Sequence, residues 1–278
     1  MVRQILEVFR GQKVIEGAGV HLCRVFGFNN PARFDPFLML DDFRSTNRAE
    51  FIKGFPWHPH RGIETITYML QGDVEHGDSL GNTGTISSGD VQWMTAGSGI
   101  IHQEMPKGDD NGILLGFQLW ANLPARNKMM APRYRGITAA DIPEVKTSDG
   151  TRIRIIAGSI DGITGPADNI IIDPEYLDCT VPPNTEFRHP TQRGYTAFLY
   201  AIGGDGNVLH NRVRDGDLVL FGDGDEIVVS GGTEPFRFLF LSGKPIREPI
   251  AWRGPIVMNT DEELDLAFRE LQNDTFIK

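Results

Sequence analysis

With 278 residues, 40% of them hydrophobic and 23% charged, the chain has the make-up of an ordinary folded protein with room for one large or two modest cores. A formal charge of −10 repels phosphate and argues against direct nucleic-acid binding. No apolar run approaches the roughly 18 residues of a membrane span, and the opening segment lacks the apolar stretch of a signal peptide. The two cysteines, Cys23 and Cys179, sit in no close Cys/His motif, so a cytoplasmic protein with reduced thiols is expected.

The 32 glycines and 17 prolines are scattered, as turn residues between short strands would be. From Val14 onward, short β-rich pieces alternate with turn formers: Val20–Phe26, Thr65–Leu70, Gly84–Ser87, Val91–Thr95 and Gly112–Trp120. This rhythm predicts an all-β antiparallel sandwich or barrel. Residues 131–150 lose the alternation and read as a linker, which divides the chain into halves at 1–130 and 151–278. The second half resumes with Arg152–Ala157, Thr196–Ile202, Asp217–Gly222, Glu226–Gly231 and Phe236–Leu241. Gly89-Asp90 and Gly216-Asp217 each lead into a strand, a trace of internal repetition. The one helical period falls at Thr260–Gln272, where Thr260 and Glu263 form a capping box and Leu264, Ala267, Phe268 and Leu271 form an apolar stripe. Its expected role is packing.

The chemistry concentrates in the first half. In Trp57-His58-Pro59-His60 the two histidines are two residues apart, so on a strand both imidazoles share a face about 6.6 Å apart along the backbone. His102-Gln103-Glu104 repeats the spacing. A single such pair is more often a packing feature than a ligand set. Two of them on neighbouring strands would place three imidazoles and a carboxylate around one point, a mixed N/O shell that suits Fe, Ni, Cu, Mn or Zn and leaves positions open. His21, His76, His189 and His210 have no partner at that spacing and read as surface or structural residues.

Gly54–Thr65, Gly72–His76, Asp78–Gly81, Gly89–Pro106 and Gly254–Thr260 resemble the signature of the pirin family of the cupin superfamily. The resemblance implies a bicupin, two jelly-roll barrels with one divalent transition metal in the first and a degenerate second barrel followed by the short C-terminal helix. It places the metal ligands on His58, His60, His102 and Glu104, and implies iron, Fe(II), ahead of Ni, Cu, Mn, Zn or Co. Glu64 is the rival carboxylate, but four residues of strand span about 13 Å from His60, and the pirin-like placement favours Glu104. Glu64 is then expected to orient Arg61. The implied activity is that of a quercetin 2,3-dioxygenase, with a flavonol and O₂ as substrates and Glu104 as catalytic base. The alternative implied by the same resemblance is an iron-binding, redox-sensitive protein partner that regulates a transcription factor or a metabolic enzyme.

Overall fold

A computed structural model describes all 278 residues. The chain is built of antiparallel strands and one α-helix, Asp261–Gln272, and it divides into two compact units. No helix is long and apolar enough to cross a membrane.

One unit comprises Gln12–Ala139 together with Ile246–Lys278. Its seven-stranded sheet runs in the order Arg133–Ile137, Val91–Thr95, Ile63–Gln71, Leu115–Asn122, Phe37–Asp42, Val20–Phe26 and Gln12–Glu16. Its four-stranded sheet runs Phe55–His60, Ile100–Gly108, Asp73–Asp78 and Thr83–Ile86. Val20 and Leu22 from the first sheet pack with Val74 and Ile86 from the second, so the apolar core lies between the two sheets, as in a barrel. Strand Phe55–His60 carries Pro56 and Pro59 and lies at the edge of its sheet, where a missing ladder N–H costs least.

The other unit comprises Met1–Gly11 and Ala140–Pro245. It repeats the plan, with seven strands in one sheet and four in the other. Its interior is filled by a single cluster that includes Leu177, Phe187, Leu199, Val219, Ile227, Val229 and Phe240. The strands that follow Gly89-Asp90 and Gly216-Asp217 hold equivalent positions, each second from one end of its seven-stranded sheet.

The division differs from the expected halves in three places. Ile5–Arg10 does not belong with the residues that follow it; it pairs with Asp217–Phe221. The segment read as a linker contributes strands, Arg133–Ile137 against Val91–Thr95 and Glu144–Lys146 against Arg152–Arg154. The capped helix packs with Ile256, Met258, Phe276 and Ile101 of the first-half unit through Leu264, Ala267, Phe268 and Leu271. Alternation and helical period report which face of an element is apolar, and an edge strand or a terminal helix can bury that face against either unit.

Candidate metal centre

Strand register builds the site. Phe55–His60 and Ile100–Gly108 are antiparallel neighbours with His58 directly opposite His102 and His60 opposite Ile100. Directly opposed residues share a face, so His58, His60 and His102 converge. Their ring centroids lie 4.4–5.0 Å apart, and one ligating atom from each falls within 4.8 Å of the others. The pairing with Phe55–His60 shifts between His102 and Glu104 through an extra residue on the Phe55–His58 side, while Ile100–Gly108 keeps unbroken register with Asp73–Asp78 from His102 to Pro106, so His102 and Glu104 share the buried face of their strand. Glu104 is buried and lines the same cavity as His58 and His60, but it is not part of the three-histidine group.

Neighbouring carbonyls select the tautomers. His58 Nδ1–H donates to the Pro56 carbonyl at 2.8 Å and His60 Nδ1–H donates to the Pro255 carbonyl at 3.2 Å. A carbonyl oxygen only accepts, so Nε2 of both rings keeps its lone pair. His58 Nε2 and His102 Nε2 stand 3.0 Å apart, and His102 Nδ1 is buried with no partner. Burial lowers the pKa of His58 and takes those of His60 and His102 well below the ordinary histidine value, helped for the last two by the adjacent imidazoles. Neutral rings with converging lone pairs fit a divalent ion. A gap of 3.0 Å is what two nitrogens, each about 2.1 Å from one ion, span in adjacent octahedral positions. Carbonyls that accept from the far ring nitrogen, as those of Pro56 and Pro255 do, orient ligating histidines in metal sites generally.

Glu104 differs in kind. Burial raises its carboxyl to about 7, against the Thr67 hydroxyl, which donates to Oε1 at 3.2 Å and lowers it. Glu64 is fully buried elsewhere: its Oε1 accepts from the Thr95 hydroxyl at 2.6 Å, and its burial raises its pKa. It does not orient Arg61. That guanidinium donates to the Ser98 and Phe276 carbonyls at 2.6 and 2.9 Å and pairs with Glu270 at 2.7 Å.

Several groups that hold the site come from far along the chain and are silent in the local pattern. Pro255 supplies the carbonyl behind His60. Lys128 Nζ, buried, donates to the Gly62 carbonyl, the Val257 carbonyl and Asn122 Oδ1 at 3.0, 3.0 and 2.7 Å, three acceptors for the three protons of an ammonium. Gly62 has φ +77°, and a Cβ there would meet the Val257 carbonyl oxygen at 1.9 Å, so no side chain fits where the His58–His60 strand turns under the C-terminal segment.

The cavity in front of the histidines has a volume of about 300 Å³ and is walled mainly by apolar side chains, among them Val20, Met39, Phe55, Val74, Leu114 and Trp120. In the other unit, the strand pair equivalent to the histidine strands sets His189 opposite Ile227 and Phe187 opposite Val229. His189 is buried there with Nε2 3.0 Å from Glu175 Oε1, and Ser242 Oγ donates to Glu175 Oε2 at 2.8 Å. His189 is thus a structural residue, and its partner Glu175 lies on a separate strand, outside the reach of a two-residue spacing.

Fold and site together define a two-barrel cupin with a three-histidine centre in its first barrel. A family model described as Pirin matches residues 19–121, and one described as Pirin C-terminal cupin domain matches residues 176–277. The chain belongs to the pirin family. It is 42% identical over 276 residues to a pirin-like protein of Caulobacter vibrioides, with 99% of each chain covered. The crystal structure of quercetin 2,3-dioxygenase from Acinetobacter baumannii superposes with a TM-score of 0.90 at 31% identity, covering 99% of both chains. A bacterial pirin from Escherichia coli, solved in complex with nickel(II), shares the fold at a TM-score of 0.65 and 21% identity, covering 86% of this chain and 99% of that one.

Proposed function

We propose that this chain is a metal-dependent dioxygenase that opens the central ring of quercetin-like flavonols with O₂, releasing one ring carbon as carbon monoxide. The observation that carries this reading is the set of buried, neutral imidazoles beside a raised carboxyl on the wall of a largely apolar cavity. The similarity to the Acinetobacter baumannii enzyme supports the choice of substrate.

His58, His60, His102 and Glu104 would hold the ion, for which Fe(II) is the proposed identity. When bound, the metal supplies Lewis-acid activation of a substrate hydroxyl and a template for O₂. Glu104 takes the proton of the flavonol 3-hydroxyl. A carboxyl near pH 7 balances availability as a base against proton affinity, which is what general-base catalysis asks for. Thr67 holds one oxygen of that carboxyl while it does so. Met39, Phe55 and Trp120 offer apolar and aromatic surface to the flavonol rings and keep water off them.

Two measurements test this. Metal-loaded protein in air should consume quercetin and release carbon monoxide, with Glu104→Gln slower by about 100-fold or more. No quercetin loss above the Glu104→Gln background overturns the reading. Metal binding should also release protons in a defined way. The imidazoles are already neutral, whereas Glu104, raised to about 7, is mostly protonated at pH 6 and must ionise to bind. Calorimetry in buffers of different ionisation enthalpy should therefore give about one proton released per ion at pH 6 and close to none at pH 8. Affinity rises with pH up to about 7 and then levels off. Release of two or more protons at pH 6 would mean that the histidines are charged in the metal-free protein.

A further inference from the structure

Away from His58, His60 and Glu104, the polar side chains on the cavity wall are Thr67, Gln118, Asp41, Arg24 and Glu16. Strands Ile63–Gln71, Leu115–Asn122, Phe37–Asp42 and Val20–Phe26 are successive neighbours in the seven-stranded sheet. Their register sets Thr67 opposite Gln118, Gln118 opposite Asp41, and Asp41 opposite Arg24. Opposed residues share a face, so these four side chains form a polar row, and all four line the cavity. On the neighbouring cavity-facing positions of the same strands stand Val20, Leu22, Met39 and Trp120.

The row begins at the metal centre, where Thr67 meets Glu104 at 3.2 Å. It ends three strands away, at most roughly 14 Å along the sheet at the usual strand spacing. There Arg24 grips Asp41 with two parallel bonds of 2.9 and 2.8 Å and reaches Glu16 at 2.7 Å. Asp41 is only 4% exposed. An ion pair in such a place contributes little stability over apolar residues of the same size. It also retains bonding capacity toward the cavity. Arg24 uses three of its five N–H groups in these bonds, and each Asp41 oxygen accepts only one bond from the guanidinium. A flavonol held by its central-ring hydroxyl at His58, His60 and Glu104 extends an outer ring along this row toward the pair, a reach that a single phenol lacks.

We propose that Arg24 and Asp41 are specificity-determining residues that select flavonols bearing hydroxyl groups on the ring remote from the histidines, with a ring hydroxyl donating to Asp41 and accepting from Arg24. The inference rests on the flavonol reading of the site. A ligand without those hydroxyls leaves a buried charged pair facing apolar carbon, the situation in which a polar site discriminates most strongly.

The test compares quercetin with 3-hydroxyflavone, which keeps only the hydroxyl directed to the metal. Binding is followed by fluorescence on metal-loaded protein without O₂, so it does not depend on turnover. The parent chain should bind quercetin at least about tenfold more tightly. The double variant Arg24→Met/Asp41→Leu removes the pair without leaving a lone buried charge. It should weaken quercetin about tenfold and 3-hydroxyflavone less than twofold, collapsing the preference. Circular dichroism and metal content verify that the variant is folded and loaded. A preference unchanged in the double variant, or absent from the parent chain, overturns the role of Arg24 and Asp41 while leaving Glu104-dependent turnover intact. Discrimination lost in the double variant without any turnover by the parent chain upholds the role and removes the dioxygenase reading. Binding of neither flavonol overturns both.

Discussion

His60→Ala should lower metal affinity by well over 100-fold, so that dialysed protein retains only a small fraction of an ion per chain. Loss of an outer partner of a metal ligand already costs about 10–100-fold, and His60 is proposed as a ligand itself. It is 2% exposed, neutral, and aimed by the Pro255 carbonyl, so its loss removes a donor that is already oriented before an ion arrives. Inductively coupled plasma mass spectrometry after chelation and reloading reads the stoichiometry, and circular dichroism checks that the barrel is intact. His189→Ala, in the other unit, should leave metal content unchanged. A full ion retained by His60→Ala with parental affinity would rule out the three-histidine centre.

Arg61→Met is the second large effect. Arg61 is 2% exposed and follows His60 directly, yet its bonds all go to groups distant in sequence: the Ser98 and Phe276 carbonyls and the Glu270 carboxylate. Its guanidinium also lies 4.2 Å from the Phe276 ring centroid, and its own carbonyl accepts from Val257 N–H at 3.1 Å. Methionine preserves the apolar stem over Phe276 but leaves two buried carbonyls without a donor. Glu270 keeps Lys278 at 2.6 Å, so its charge is not stranded completely. The expected loss is therefore at the lower end for a broken buried pair, about 3 kcal/mol. It should come with a tenfold or so weaker metal site, because the strand carrying His58 and His60 loses its side-chain tie to Glu270 and Phe276. Urea unfolding and metal competition measure the two effects. A stable variant with unchanged metal affinity would show that Arg61 is dispensable to the strand.

What was legible in the sequence follows from distance along the chain. The shared face of His58 and His60 is a property of one strand, and the second pair, His102 and Glu104, could be read in the same way. The capping box at Thr260 and Glu263 is equally local and forms as expected. The bulge between Phe55 and His58, opposite His102 and Glu104, left no mark in the pattern, because pairing register depends on the neighbouring strand. Pro255, Lys128 and Glu270 were invisible for a different reason. A carbonyl, an ammonium and a carboxylate have no period, and their partners at His60, Gly62 and Arg61 lie 195, 66 and more than 200 residues away. The assignment of Ile5–Arg10 and of the final helix failed likewise, since amphipathicity names a buried face and not its mate.

The exchange of terminal segments also has a consequence for biosynthesis. The histidine strands are complete once the ribosome passes Glu104, but the carbonyl that sets His60 and the groups that anchor Arg61 belong to Pro255, Glu270 and Phe276. Translation needs on the order of ten seconds or more to cover that interval. For that time the nascent chain exposes three imidazoles that are not yet held in their final geometry. If the three histidines hold the ion as proposed, a chain arrested before Pro255 is expected to be a poor metal binder however well its first barrel has begun to fold.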